Sequence, residues 1–402
     1  VFESFVVNMV IAAVNIGSGI LLARLLGAEG RGELAAAQAL PMILCMVGQL
    51  GLPQAVIYFG ARDRERAGEY AVSATLLMLG FGVPLMALTA AITPWFLEQQ
   101  RSEVVRLGQI YVLLLVPTAI HLLPVATSRA LHRISIWNRL RLVSPVLWLV
   151  VVAALFLVDL DHPAAVLFIY LSLFFVAALI MIAAVRGLIG RPMKPAAGAW
   201  GKLLRYGLPL TLGAAPLALN QSLDRLIIAG MLPAAELGQY TVAISWTRIG
   251  LLPVTALTGV AFSKLAGIEQ RSEQLRFIWR AGLGAVAVSA LTVLVIAAAT
   301  PWALPMAFGA DFRAAIGISF VALISIFLQG IDHMLKVSMQ GLGRTVPITI
   351  AEWSGLILLV PAAIWLIGRY GLFGAPWALV VGSGTVVLVL GLALLREARR
   401  GT

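Results

Sequence analysis

The chain is poor in what a water-soluble surface or a catalytic centre is made from. Among 402 residues there are one cysteine, four histidines and 18 acidic residues, and charged residues of both signs make up only 12%. The single thiol, Cys45, excludes an intramolecular disulfide, and the few histidines form no pattern with metal-ligand spacing. P-loop, G-x-S-x-G and H-E-x-x-H patterns are missing too. These absences exclude ATP-driven work by this chain alone, and they lead us to expect no catalytic residues, no metal and no other cofactor.

What the chain has instead is apolar length. Hydrophobic residues make up 61% and mean hydropathy is +0.98. So little polar material cannot cover a soluble protein of this size, so the surrounding solvent is expected to be lipid. The apolar runs match the ~20 residues that cross a bilayer as a helix. Twelve spans are expected, at roughly 5–23, 36–59, 71–94, 108–128, 143–158, 164–185, 207–231, 240–262, 279–300, 314–335, 346–367 and 372–395. Only short connections remain, with no room for a soluble domain. The expected fold is an all-α polytopic membrane protein.

The scarce charges are placed unevenly. With both termini inside, 21 of the 29 Lys and Arg residues fall on inner connections and the C-terminal tail. The outer side keeps Arg24, Arg31, Arg101, Arg106, Arg313 and Arg369, while Arg225 and Arg248 lie within spans. The positive-inside bias supports this orientation and an even number of spans. It also accounts for the net charge of +11 without a nucleic-acid partner, which would need one gathered basic surface. Residues 1–4 carry no signal-peptide pattern, and the first span is expected to act as its own insertion signal.

A weak repeat divides the chain. LLGAEGRGELAAA (Leu25–Ala37) returns as MLPAAELGQYTVA (Met231–Ala243), so that Leu26, Ala28, Gly32 and Ala37 fall on Leu232, Ala234, Gly238 and Ala243. Each copy is a polar turn between apolar runs. Two related six-helix lobes follow as an expectation: residues 1–190, a cytoplasmic linker 191–206, and residues 207–402, related by a pseudo-two-fold axis along the membrane normal.

Polarity within spans marks where function is expected. Ser4, Asn8, Asn15 and Ser18 share one face of the first span; Asn220–Gln221 and Asp224–Arg225 follow each other in the seventh. Thr241, Ser245, Arg248 and Thr255 line the eighth, and Ser325, Gln329, Asp332 and Lys336 the tenth. A water-filled cavity between the halves is the simplest common target of these faces. Arg248 is the sharpest residue, because no acid stands at i±3 or i±4; its structural alternative is a bond to carbonyls freed by Pro253 or a pair with another helix. Asp224 and Arg225 read equally as cavity residues or as an interhelical ion pair. Arg24 can snorkel at the outer interface. Asp332 and Lys336 read as a self-neutralising i,i+4 pair, and Glu352 as interfacial. His121, between Pro117 and Pro124, is a candidate for proton coupling; its alternative role is to satisfy a carbonyl. A cationic cavity with hydroxyl and amide company favours an anionic substrate bearing phosphate or sugar oxygens.

Three further stretches carry a resemblance. They are ARLLGAEGRGELAAA at Ala23–Ala37 followed by Gly51-Leu52; Asp224-Arg225 followed by AAELGQYTVA at Ala234–Ala243; and QGLGRT at Gln340–Thr345 with YGLFGAPWA at Tyr370–Ala378. In these the chain resembles the Wzx-type lipid-linked oligosaccharide flippases, polysaccharide biosynthesis proteins of the MOP superfamily, over nearly its whole length. AFSKLAG at Ala261–Gly267 departs from that pattern, which would have a proline there. The resemblance implies a MATE-like fold in the bacterial cytoplasmic membrane. It implies inner-to-outer transfer of an undecaprenyl-(di)phosphate-linked oligosaccharide by rocking lobes, with a glycan polymerase and other export machinery as partners beside membrane lipids. It places Arg24, Arg225 and Arg248 on the substrate phosphate, while the polar faces themselves supply Asn8, Asn15, Asn220, Gln221, Asp224, Ser245 and Gln329 as the expected cavity lining. The alternative is a cation-coupled, MATE-like multidrug exporter, which would want an unpaired carboxylate deep in the first or seventh span. A membrane-bound glycan polymerase or ligase would want a long outer loop, and none is present.

Overall fold

In lipid a backbone N–H or C=O finds no water, so spanning segments must satisfy their own hydrogen bonds as helices. The computed structural model follows this rule and describes residues 2–189, 194–196, 198–220, 222–265 and 267–400, among which there is no strand. Nine helical stretches among them are long and apolar enough to cross a membrane. Two of these, Glu3–Arg62 at 60 residues and Val346–Arg399 at 54, have length for two crossings each. The seventh expected span lies outside those nine, in the pair of helices Ala199–Leu219 and Leu223–Met231. Twelve crossings are thus accommodated.

The chain forms two compact units, Val1–Gly230 and Met231–Thr402. In the first, α1 (Phe2–Gly48) bends at Gly27, whose φ of 64° and ψ of −172° belong to no helix, so one span ends there and the next begins. Then follow α2 (Leu52–Arg62), α3 (Ala67–Phe96), α4 (Ser102–Tyr111), α5 (Leu115–Ala130), α6 (Ile134–Leu157), α7 (Pro163–Ile189), α8 (Ala199–Leu219) and α9 (Leu223–Met231). A 3₁₀ turn at Val112–Leu114 joins α4 to α5, where Pro117 withdraws the N–H that Leu113 would accept. Buried Leu115 is the knob of this core: a Cβ on either Gly48 or Gly82 would strike it. The second unit comprises α10 (Ala234–Thr247), a 3₁₀ turn at Arg248–Leu251, α11 (Leu252–Leu265), α12 (Arg271–Phe308), α13 (Ala315–Gly341), α14 (Val346–Tyr370) and α15 (Gly374–Arg400). Here α13 is the centre, packed against α10, α11, α12 and α15, while α14 and α15 form a hairpin. Large apolar side chains such as Leu157 (84% exposed) and Trp95 (78%) stand on the outside, as a lipid-facing surface requires.

The boundary between units falls one span later than the expected linker at 191–206, part of which, Arg191 included, lies outside the described residues. The cause is the packing of α8 on α1, α2 and α3. Gly51 has φ +63° and abuts the backbone of Gly207, where a Cβ would lie 2.2 Å from the carbonyl oxygen. Immediately before Gly207, Tyr206 stacks on Tyr58 with centroids 4.4 Å apart, and the Arg62 guanidinium covers the Tyr58 ring at 4.1 Å. Further on, the Gln100 side chain donates to the Ala229 carbonyl at 2.7 Å.

The Gly51–Gly207 contact generates a stability prediction. Gly51→Ala should cost ~1–3 kcal/mol through overpacking at a left-handed position. Gly259→Ala, which meets open space, should change little. Thermal unfolding of the purified protein in detergent would check both, and an unshifted midpoint for Gly51→Ala would show that the two helices are not in contact there.

Candidate functional site

Both arginines that the sequence leaves inside spans sit at helix interruptions. The seventh span is not one helix: α8 stops at Leu219, Asn220 lies in a turn, and α9 restarts at Leu223. Pro216 within α8 weakens the last turns by withholding an N–H, and its own carbonyl accepts from Asn220 N–H at 2.9 Å. Arg225 lies in the first turn of α9. The eighth span breaks likewise, because Pro253 cannot donate to Ile249, and Arg248 opens the resulting 3₁₀ turn. Discontinuous membrane helices expose backbone groups and polar side chains at mid-span, where ligands can use them.

Around α9 the first unit collects unmatched polarity. Asp224 is 5% exposed, and one carboxylate oxygen accepts the Arg225 backbone N–H at 2.8 Å. The Arg225 side chain is half-buried, and its Nε has no hydrogen-bond partner; the Asn220 Oδ1 is equally unpartnered. Arg31, half-buried beyond the Gly27 bend, stands close enough to Arg225 for the two positive charges to disfavour each other. Sequence reasoning assigned Arg31 to an outer connection. Its position within the Ala23–Ala37 motif was the signal available, but only folding brings it to α9. Buried polar atoms are nearly always paired, so the orphan Nε near a second guanidinium makes this the candidate place for an anion, with Asp224 balancing part of the charge. Gln221, expected to join this group, lies outside the described residues.

On the α8 side, a cavity of about 310 Å³ opens between the end of α1, the start of α2 and α8. Its polar walls are Gln49, Gln54 and Thr211, and the rest of its lining is apolar. None of the three polar residues stood out in the sequence, because Gln and Thr in apolar runs are common.

The remaining expected residues are spread out. Asn8 is exposed and accepts from Arg141 Nη2 at 2.8 Å, and Ser4 accepts from Asn138 at 3.2 Å, so the polar stripe of the first span runs along α6 within its own unit. Asn138 and Arg141 are one turn apart on α6 and match the spacing of Ser4 and Asn8. Asn15 lines a smaller pocket, about 110 Å³, with Ser144, Trp148, Tyr170 and Phe174. His121 borders the same region: Nδ1 donates to the Pro117 carbonyl at 2.9 Å, Nε2 meets the Ser144 hydroxyl at 3.0 Å, and the ring stacks on Phe174. A carbonyl can only accept, so Nδ1 carries the proton, and a neutral ring fulfils both bonds. Arg24 is exposed on α1 before the bend.

In the second unit Arg248 is exposed on that unit's surface, and the Ser245 hydroxyl turns back to the Thr241 carbonyl at 2.7 Å. The half-buried Gln329 lends its carbonyl to His333 Nδ1 at 2.7 Å. Glu352 is buried in the protein rather than open at its surface: it is 6% exposed and ion-paired across helices with Lys336, which also binds Asp332 at 2.5 Å. Asp332 and Lys336 therefore do not neutralise each other alone. At mid-helix a charge facing acyl chains costs at least ~2.5–3.5 kcal/mol, so Arg248 needs an aqueous or ionic surrounding.

Known proteins share this architecture. The Lipid II flippase MurJ in an inward closed conformation superposes with a TM-score of 0.79 at 14% identity, over 98% of this chain and 87% of that one. A multidrug resistance MATE family transporter of the MOP superfamily, inward-facing, gives 0.74 at 20% identity over 99% and 98%. A MOP superfamily transporter from Pyrococcus furiosus gives 0.64 at 17% identity over 100% and 94%. At such identities the likeness establishes the fold, which is that of the MOP superfamily. No curated protein sequence matches the chain. The family model described as "Polysaccharide biosynthesis protein" matches residues 1–262, from the first span through the broken eighth. The chain is thus a multi-pass membrane protein that belongs to the polysaccharide biosynthesis protein family.

Proposed function

We propose that the protein is a flippase that carries a polyprenyl-(di)phosphate-linked oligosaccharide from the inner to the outer leaflet of a bacterial cytoplasmic membrane. The observation that carries this reading is the Arg31–Arg225 pair, with a partnerless Nε, beside the interruption of the seventh span. Two neighbouring guanidiniums suit a diphosphate, whose oxygens accept several charge-assisted bonds at once. Arg248 at the second interruption and Arg24 near the first bend are the further cations of this path. Asn8, Asn15, Asn220, Gln221, Asp224, Ser245 and Gln329 are its proposed polar lining, and His121 a proposed proton relay within it.

The physics of the load explains the design. A glycan head group cannot cross hydrocarbon without losing hydrogen bonds to every hydroxyl. Broken helices and amide side chains replace those bonds, while the prenyl tail stays in lipid. Alternating access between two six-helix lobes, termini on the cytoplasmic side, moves the head group without opening a channel. Glycan polymerase and other export machinery take the product. The exporter reading is disfavoured at Asp224, which the Arg225 N–H already engages instead of leaving it open for a coupling ion.

Three outcomes test the proposal. Arg225→Ala and Arg248→Ala should each reduce transfer of a lipid-linked oligosaccharide across proteoliposomes by at least about tenfold, as loss of a charge-assisted bond implies, with protein levels unchanged. Full transfer in both variants, or efflux of a cationic dye instead, would remove the flippase reading. Arg225→Met should stabilise the substrate-free protein by about 1 kcal/mol, read as a raised melting midpoint, because it relieves Arg31 and removes the orphan Nε; a lower midpoint would mean that Arg225 is structural. An inside-negative potential should speed outward transfer, since each negative charge gains ~2.3 kcal/mol per 100 mV; rates indifferent to valinomycin-imposed voltage would exclude a charged head group as the moving load.

A further inference from the structure

The second unit buries an ion cluster whose charges do not balance. Asp332 and Lys336 lie one turn apart on α13, and Glu352 reaches them from α14. Asp332 is 5% exposed, Glu352 is 6% exposed and the Lys336 side chain 16%. Buried Leu265, Met339, Ala351 and Leu390 surround this level, with Leu335 and Ile348 packed against them. One ammonium therefore serves two carboxylates, and the cluster is left with one excess negative charge when all three groups are ionised.

Among the described residues no second Lys or Arg interacts with the cluster. Lys336 interacts with Asp332 and Glu352, and Asp332 with Lys336, Glu352 and His333. His333 is tied through Nδ1 to the Gln329 carbonyl. Of the cations around α13, Arg271 of α12 and Arg344 pair with Glu397 of α15, and Lys264 of α11 lies over the Phe277 ring. Among the described residues no titratable group of α10, α11, α12 or α15 pairs with the cluster. Meanwhile Asp332 Oδ2 takes the Lys336 bond, and Asp332 Oδ1, fully enclosed, has no donor at all.

We infer that the Asp332–Lys336–Glu352 cluster is a proton-binding site, which holds one proton between its two carboxylates in the resting protein and becomes singly negative when that proton leaves. Two carboxylates close to one ammonium and to each other cannot both stay ionised in an apolar shell without a further cation. Of the cations available, a proton needs no coordination shell and suits the enclosed Asp332 Oδ1. The proton stands on a carboxylate oxygen, and the Lys336 ammonium keeps its own. Because the cluster links α13 to α14, protonation gives the second unit two packing states, close when neutral and strained when charged. This inference concerns the second unit alone and holds whatever the load of the first.

Infrared difference spectroscopy of the full-length protein in lipid, as pH is stepped, tests it by the C=O band of a protonated carboxyl and its shift in deuterium oxide. The wild type should show such a band at neutral pH, losing it at alkaline pH. Asp332→Asn and Glu352→Gln should each abolish it, because the surviving carboxylate then balances Lys336. Lys336→Met should enlarge it about twofold, since two carboxylates without a cation each take a proton; this variant and the wild type carry the test if the other two fail to fold. A wild type without the band, or a band that survives both amide substitutions, overturns the inference. So does a melting midpoint raised by sodium chloride over choline chloride in the wild type only, which would assign the site to a metal cation.

Discussion

A backbone amide inside a bilayer has one means of satisfaction, the helix of which it is part. That constraint makes every interruption of a spanning helix costly, and it turns the list of interruptions into a map of function. The chain breaks its helices at Gly27, Gly51, Val112–Leu114, Asn220 and Arg248–Leu251. Two of these breaks are explained by packing: Gly51 lets α8 come down on its backbone, and the turn before α5 presents Leu115 to Gly48 and Gly82. The two breaks in the seventh and eighth spans coincide instead with cations. An arginine placed where backbone carbonyls and amides are already loosened can be solvated by the protein before a ligand arrives.

The number of crossings was legible because hydropathy integrates over ~20 residues and tolerates local irregularity. Where helices start and stop inside a crossing was not, since a proline such as Pro216 or Pro253 is as compatible with a bend as with a break. The same limit affected the polar faces. Asn8 and Asn15 were visible as a stripe, but a period of 3.6 says only that they share a direction, not what lies there. The matching pair Asn138 and Arg141 on α6 supplies the answer for Ser4 and Asn8. The inward packing of Arg31 and Glu352 was not legible for a related reason: each lies near the end of an apolar run, and only tertiary packing decides which way such a side chain turns.

The charges inside the molecule fall into three modes of neutralisation. Arg141 relies on an amide oxygen and lies over the Trp137 ring at 4.5 Å, a polarisable environment that leaves little residual field. Lys336 is over-compensated by two carboxylates. Arg225 is under-compensated, with another guanidinium as its neighbour. Only the last two leave charge to be balanced by something outside the chain, and they carry opposite signs in different units. On the proposed reading an anion would balance the first unit and a proton the second.

That opposition bears on how transfer and a driving ion can coexist in one chain. A site that attracts an anion and a site that attracts a proton do not compete for the same ligand, so each can be occupied independently of the other. In an exporter of cationic drugs, load and coupling ion compete for shared carboxylates, and the competition itself drives exchange. Here two buried carboxylates share Lys336, and a third, Asp224, accepts the Arg225 N–H at the start of α9. Within the second unit α13 ties the cluster to the broken eighth span: it packs against α10 and α11, which flank Arg248, and against α15, which holds α14 and Glu352.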